Sequence, residues 1–191
     1  MATLLTVGLA SGCAAKDPGR PSAETSAGGA TETGTKSSSP SGVSGPDLDL
    51  SKFASNPCGA LTADQLAPLG SFKAPEPGTG TFGPNCWWKA TKVLEGAGYK
   101  VTMVTNGTTI DTFIDTNKSL QVFKETTVGG LKAASWDQTN ASANCSTAVG
   151  TSSKGAILVQ MNIENTNAPE SKDTCAASEK VAALVVQNLK G

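Results

Sequence analysis

Residues 145–163, CSTAVGTSSKGAILVQMNI, carry the pattern that decides the fold. Two strand-like segments, residues 145–151 and 155–163, flank a short polar sequence that is typical of a hairpin turn. In the second segment every other residue is large and apolar, and these residues share one face of a strand: Ile157, Val159, Met161 and Ile163. The opposite face is mostly small or polar apart from Leu158. The sequence therefore predicts a β-hairpin with one strongly apolar face.

Further strand patterns occur on the N-terminal side of this hairpin. They cover residues 86–89, 99–105, 121–128 and 131–136. The dipeptide Gly129-Gly130 predicts the turn between the last two segments. Residues 71–84 are rich in glycine and proline, so we predict a loop there. Hairpin-connected strands of this kind favour an antiparallel sheet.

The clearest predicted helix covers residues 173–189. Its apolar residues recur at the spacing of one helix face, namely Ala177, Val181, Leu184 and Val185. A capping box of Thr62 and Gln65 begins a short second helix, and residues 108–111 carry a weaker helix-start pattern. We expect a single disulfide-stapled α+β domain, an antiparallel sheet with helices packed on one face.

The N-terminus has the features of a lipoprotein signal. A short apolar segment ends in Ala10-Ser11-Gly12, immediately before Cys13. The segment is shorter than the roughly 20 residues that a membrane-spanning helix needs, but long enough for the apolar region of a signal peptide. We expect residues 1–12 to be a signal peptide and Cys13 to carry a lipid. No Lys or Arg precedes Cys13, so we also expect that Met1 is not the true translation start.

Composition changes sharply after Cys13. Residues 13–46 are mostly Ala, Gly, Ser, Thr and Pro, and such a segment buries too little apolar surface to offset the entropy of ordering. We predict that it is a disordered, lipid-anchored tether and that residues 47–191 form the globular domain. The predicted location is the extracytoplasmic face of the cell membrane. A cytosolic protein with an apolar N-terminus is the alternative.

The cysteines support export. The chain has five, and lipidation of Cys13 leaves four, which allow three pairings. We favour Cys58–Cys86 and Cys145–Cys175, because each closes a local loop and stabilises the fold by roughly 3–4 kcal/mol. The alternative is a four-thiolate zinc site, which usually contains closely spaced cysteine pairs; this sequence has none. We therefore predict no metal and an oxidising compartment.

An ordered set of short motifs follows the tether. They are Pro57-Cys58, Leu61-Thr62-Ala63-Asp64-Gln65-Leu66, Leu69-Gly70, Cys86-Trp87-Trp88, Val128-Gly129-Gly130, Cys145 and Asp173-Thr174-Cys175. Over residues 54–190 the set resembles the actinobacterial lipoproteins that carry domain of unknown function 3558. Asn56 stands where Asp is commoner in that family. The family has no established activity, so the resemblance implies a location and a fold rather than a mechanism.

Few catalytic arrangements are compatible with this sequence. It contains no histidine, which excludes Ser-His-Asp and Cys-His catalysis within it. Its 15 basic and 16 acidic residues do not favour nucleic-acid binding. Asp111 and Asp115 are spaced to share one helix face, which favours a solvated surface, with a cation site or acid–base work as the alternatives. Asp137 and Glu164 are further candidate carboxylates, although the sequence does not place them relative to each other. An envelope hydrolase that uses these carboxylates is one alternative function.

Trp87 and Trp88 are the candidate contacts for a ligand or partner. In a strand they point to opposite faces, so we expect one in the core. For the pair we favour a purely structural role, and the alternative is that the second indole is exposed and contacts a ligand or partner. We predict a non-enzymatic, lipid-anchored envelope module without a cofactor, which binds a small ligand or an envelope protein and contacts the membrane through Cys13. An accessory subunit of a membrane complex is a further alternative.

Overall fold

The structure is a computed structural model that describes residues 47–164 and 169–191. The predicted signal peptide, the tether and the lipidation site Cys13 lie outside the described residues. None of the helices in the described part is long and apolar enough to span a bilayer.

Seven antiparallel strands form one sheet. Their bounds are β1 Glu76–Gly80, β2 Gly83–Trp88, β3 Ala97–Val104, β4 Val122–Val128, β5 Leu131–Asp137, β6 Asn144–Ser152 and β7 Gly155–Ile163. The strand order across the sheet is β1-β2-β3-β7-β6-β5-β4. The predicted hairpin is therefore confirmed as β6 and β7, and β7 lies at the centre of the sheet, where it also pairs with β3.

One face of the sheet, which we call the α4 face, carries the main core. The helix α4, Thr174–Lys190, packs on it, with Asp173 as its N-cap accepting a hydrogen bond from the backbone of Ala176. The apolar side of the hairpin points into this core, and its residues are almost completely buried: Val149, Ile157, Val159, Met161 and Ile163. From α4 the core receives Val181, Ala182, Val185, Val186 and Leu189.

The opposite face, which we call the α3 face, is only partly covered. Helix α3, Ile110–Asn117, packs on it through Ile110, Phe113 and Ile114. The predicted α+β fold is confirmed. The prediction that the helices pack on one face is wrong for α3, which packs on the face opposite α4. Small residues leave room for this helix, since a Cβ atom at Gly150 would lie 2.7 Å from Cγ2 of Ile110.

Short helical segments precede the sheet in the chain, namely α1 Ser51–Ala54, α2 Ala63–Leu66 and two 3₁₀ turns at Pro57–Ala60 and Ala67–Leu69. A third 3₁₀ turn, Pro169–Lys172, lies between β7 and α4. The capping box of Thr62 and Gln65 is confirmed. The amide of Asn188 on α4 holds this region, because it donates to the Ala60 carbonyl at 2.9 Å and to the Gln65 amide at 2.8 Å.

The predicted loop over residues 71–84 is wrong for most of its length. Strand β1 and the start of β2 form a hairpin there. Strand β1 is an edge strand exposed along its whole length, and such a strand tolerates Pro77 because one side of it has no neighbour to bond.

Both predicted disulfides are confirmed. Cys58–Cys86 joins the first 3₁₀ turn to β2, and Cys145–Cys175 joins β6 to the first turn of α4. Cys86 and Cys145 are buried in the α4-face half of the molecule. Each covalent link therefore fixes a helical segment to the face that holds the main core.

Candidate ligand-binding cleft

A continuous row of paired residues crosses the α3 face, and helix α3 covers only part of it. We call it the cross-strand row, and from β1 to β4 it consists of Glu76, Trp87, Lys100, Gln160, Ser146, Trp136 and Phe123. Because directly paired residues point to the same side of a sheet, the row forms a floor of aromatic and polar side chains. No large aliphatic residue occurs in it.

The middle of this row is the floor of a cleft of about 810 Å³. Residues of α3 form one wall, chiefly Thr112, Thr116 and Asn117, and Phe82 stands beside them. The end of β5 and the loop after it supply Asp137, Gln138 and Thr139 at one end of the cleft. This volume lies in the range usual for small-molecule sites, and the cleft owes its depth to the partial coverage by α3.

The two candidate tryptophans have different environments. Trp88 is 1% exposed and belongs to the α4-face core, whereas Trp87 is 37% exposed and lines the cleft. The Lys89 ammonium lies 4.8 Å from the Trp87 ring centroid and is held there by an ion pair with Glu76 at 2.6 Å. Trp87 is thus an indole that contacts a cation and remains open to solvent.

Lys100 and Gln160 lie next to each other in the cross-strand row. Across residues 47–164 and 169–191, neither side chain makes a hydrogen bond or an ion pair, and the same holds for Ser146, Asn144 and Asn162. All five line the cleft. A polar side chain that has no protein partner is available to bind a ligand, so this group provides a cation and several neutral donors and acceptors.

Asp137 also lines the cleft, but its carboxylate already has partners. It accepts hydrogen bonds from the backbone of Thr139 and of Ala141, both at 2.9 Å, and from the Thr139 hydroxyl. Burial raises the pKa of this carboxyl, and the hydrogen bonds outweigh that effect, so the pKa lies below its usual value. Asp137 therefore shapes the loop that closes the cleft.

Aromatic rings close the cleft beneath α3. The ring of Phe113 lies 5.3 Å from that of Phe82 and 5.6 Å from that of Trp136, on which it stacks. Trp136 is 7% exposed and forms part of the cleft wall. The exposed indole of the cleft is that of Trp87. The cleft consequently has a packed apolar end and an open end.

The candidate catalytic carboxylates are not brought together. Asp111 pairs with Lys132 at 2.8 Å, and Asp115 pairs with Lys118 at 2.8 Å, which lowers the pKa of Asp115. Neither lines the cleft, and Glu164 lies in a smaller adjoining cavity of about 170 Å³. In the part of the chain that the structure describes, no three His, Cys, Asp or Glu side chains are arranged to hold a metal ion.

A second polar cluster lies beneath α4, and its residues were not among the predicted site residues. The Thr147 hydroxyl lies 2.9 Å from that of Ser135 and 2.6 Å from that of Ser178, and Ser135 donates to Glu179 at 2.8 Å. Ser135, Thr147 and Ser178 are almost fully buried. Because each of these buried hydroxyls has a partner, the cluster links α4 to β5 and β6.

The cleft residues Lys100, Gln160 and Asn162 were not among the predicted site residues. Their signal was the polar face of β7, where Gln160 and Asn162 alternate with buried apolar residues in the central strand. That pattern indicates a solvent-accessible face but does not reveal which strands are neighbours. The row became evident only from the pairing register.

Comparison with family models gives one match. The model described as a protein of unknown function, DUF3558, matches residues 8–188, which is nearly the whole chain. No curated protein and no solved structure matches.

Proposed function

The chain belongs to the DUF3558 family, and from this premise we propose that it is a non-enzymatic, lipid-anchored module that binds a small ligand in the α3-face cleft on the outer side of the cell membrane. The observation that carries the proposal is the group of unpartnered polar side chains, with the exposed Trp87, in a cleft of small-molecule size. These side chains lie outside the buried core and are accessible to a ligand.

The proposed location is supported by two independent features. Cys13 follows a short apolar segment that ends in small residues, and both disulfides require an oxidising environment. Lipid on Cys13, followed by the tether of residues 13–46, would hold the domain near the membrane and leave the cleft accessible.

The location is tested by fractionating cells that express the wild-type protein or Cys13→Ala. The wild type should sediment with membranes, and the variant should be released into the soluble extracytoplasmic fraction. Ser26→Ala in the tether is the matched control and should stay with membranes. Membrane association of Cys13→Ala equal to that of the wild type would contradict the anchor.

Binding is tested by titrating the ¹⁵N-labelled protein with a low-molecular-weight extract of the cell envelope and recording side-chain NMR signals. The indole signal of Trp87 and the side-chain amide signal of Gln160 should shift. The chain contains internal controls, because the indole of Trp88 is buried on the other face and the amide of Asn188 is bonded to Ala60 and Gln65. Shifts confined to these controls, or none at all, would reject the cleft as the site.

A further inference from the structure

We propose that the cleft ligand is an extended oligosaccharide that carries a carboxylate, with Lys100 pairing with the carboxylate and the Trp87 indole stacking on a sugar ring. This inference rests on the proposed binding function and names its ligand class. The juxtaposition that points to it is a lone unpaired cation between an exposed indole and a series of neutral amides along the cross-strand row.

The charges of the cleft limit the charge of the ligand. Lys100 and Asp137 are the charged residues among those that line it. The carboxylate of Asp137 is already bonded to Thr139 and Ala141, so Lys100 is the charge that remains to be paired. A polyphosphate would need several cations, whereas a ligand with isolated carboxylates needs one at a time.

The neutral lining fits hydroxyl groups. The amides of Gln160, Asn162, Asn144 and Gln138 and the hydroxyl of Ser146 can each donate and accept. Sugar hydroxyls also donate and accept at the same atom, so they can satisfy both halves of an amide. A purely apolar ligand would displace water from these groups and leave them without partners, which weakens its binding.

The exposed indole fits the apolar side of a sugar ring. A pyranose presents a face of C–H groups, and such a face can pack on the flat surface of an exposed aromatic ring. Trp87 meets this requirement because it is 37% exposed and lines the cleft.

The dimensions favour a chain of several rings. Four strand-to-strand steps separate Trp87 from Trp136, which is about 19 Å at the usual strand spacing. Successive strands thus offer side chains at intervals close to the length of one sugar unit. An extended peptide is less suited, because Lys100, Gln160 and Ser146 lie on strands paired on both sides, which leaves no free strand edge for it to extend.

The test compares three probes in the same NMR titration. They are a hyaluronan tetrasaccharide, with carboxylates on alternate rings; chitotetraose, a neutral chain of similar length; and the capped peptide Gly-Glu-Gly-Glu. The acidic tetrasaccharide should bind most tightly and shift the Trp87 and Gln160 side-chain signals. Lys100→Gln should weaken its binding about tenfold without changing that of chitotetraose, whereas Trp87→Ala should weaken both. Lys180→Gln, on the exposed side of α4, is the matched control and should change neither.

Three outcomes would overturn the inference. The peptide binds and the sugars do not; the two sugars bind with equal affinity; or no probe binds. If the envelope extract still shifts the Trp87 and Gln160 signals while no probe does, the ligand class is wrong and the proposed binding function stands. If neither the extract nor a probe shifts them, both are wrong.

Discussion

The two faces of the sheet use the same strands for different purposes. In β7, Ile157 and Val159 point into the α4-face core and have no exposed surface, whereas Gln160 points into the cleft and is exposed. Neighbouring residues of one strand thus belong to two environments. We infer that the α4 face supplies most of the free energy of folding. Because that core holds the strands in place, the α3 face can present polar side chains that have no protein partners.

The largest expected effect comes from a cavity on the α4 face. Ile157→Ala should lower the free energy of unfolding by about 4 kcal/mol, because Ile157 is fully buried and its neighbours relax only partly. Gln160→Ala, in the same strand, should change it by less than about 0.5 kcal/mol. Urea denaturation under oxidising conditions measures both. Comparable losses of unfolding free energy in the two variants would contradict the inference that the α4 face supplies most of the stability.

The next effect concerns the covalent link between β6 and α4. Replacing Cys145 and Cys175 together by Ala should cost roughly 3 kcal/mol of unfolding free energy, since the loop they close becomes free in the unfolded chain. Ser146→Ala, one residue along but facing the cleft, is the control and should have little effect. A double variant as stable as the wild type would show that the disulfide is dispensable.

A smaller loss is expected where α3 meets the sheet. Gly150→Ala places a Cβ atom 2.7 Å from the branched side chain of Ile110, and such overpacking should cost about 2 kcal/mol and displace α3. The displacement should be visible as shifts of the Thr112 and Thr116 signals on the cleft wall. At Gly80 a Cβ atom has ordinary space, 3.6 Å from the Asn85 amide, so Gly80→Ala should leave both readouts unchanged. Equal stability and equal spectra for the two variants would contradict the close packing of Ile110 against Gly150.

The smallest effect depends on pH. The pKa of Asp137 is lowered in the folded protein, so its carboxylate stabilises the fold above the usual Asp pKa of 3.8, and this contribution is lost as the pH falls through the lower native value. Asp137→Asn should cost about 1 kcal/mol at neutral pH. The difference from the wild type should shrink below pH 3.8. A stability difference that does not depend on pH would show that the loss comes from altered packing and not from the charge of the carboxylate.

Much of the fold could be predicted from local patterns. Strand β7 and helix α4 were identified from their apolar residues, because burial on one face leaves a regular period in the sequence. The turn at Gly129-Gly130 was identified from its glycines. The edge strand β1 could not be recognised, since Glu76–Gly80 is fully exposed and contains no such period. Glycine and proline there indicated a loop, but edge pairing tolerates them.

The site was harder to predict than the fold. The alternation at Trp87-Trp88 placed the two indoles on opposite faces but did not show that Trp87 is exposed. Lys100, Gln160 and Ser146 are about 14–60 residues apart in the chain. They became neighbours through the pairing of β3, β7 and β6. The face on which α3 packs also depends on tertiary contacts, because small residues opposite Ile110 leave room for the helix. Neither feature leaves a local signal.

The most direct test of the division between the faces measures two free energies on one variant, Gln160→Ala. Its free energy of unfolding is obtained from urea denaturation, and its binding free energy from the shift of the Trp87 indole signal during titration with the envelope extract. We predict unfolding unchanged within about 0.5 kcal/mol and binding weakened about tenfold. Unchanged binding, or a loss of stability as large as that of Ile157→Ala, would contradict the account.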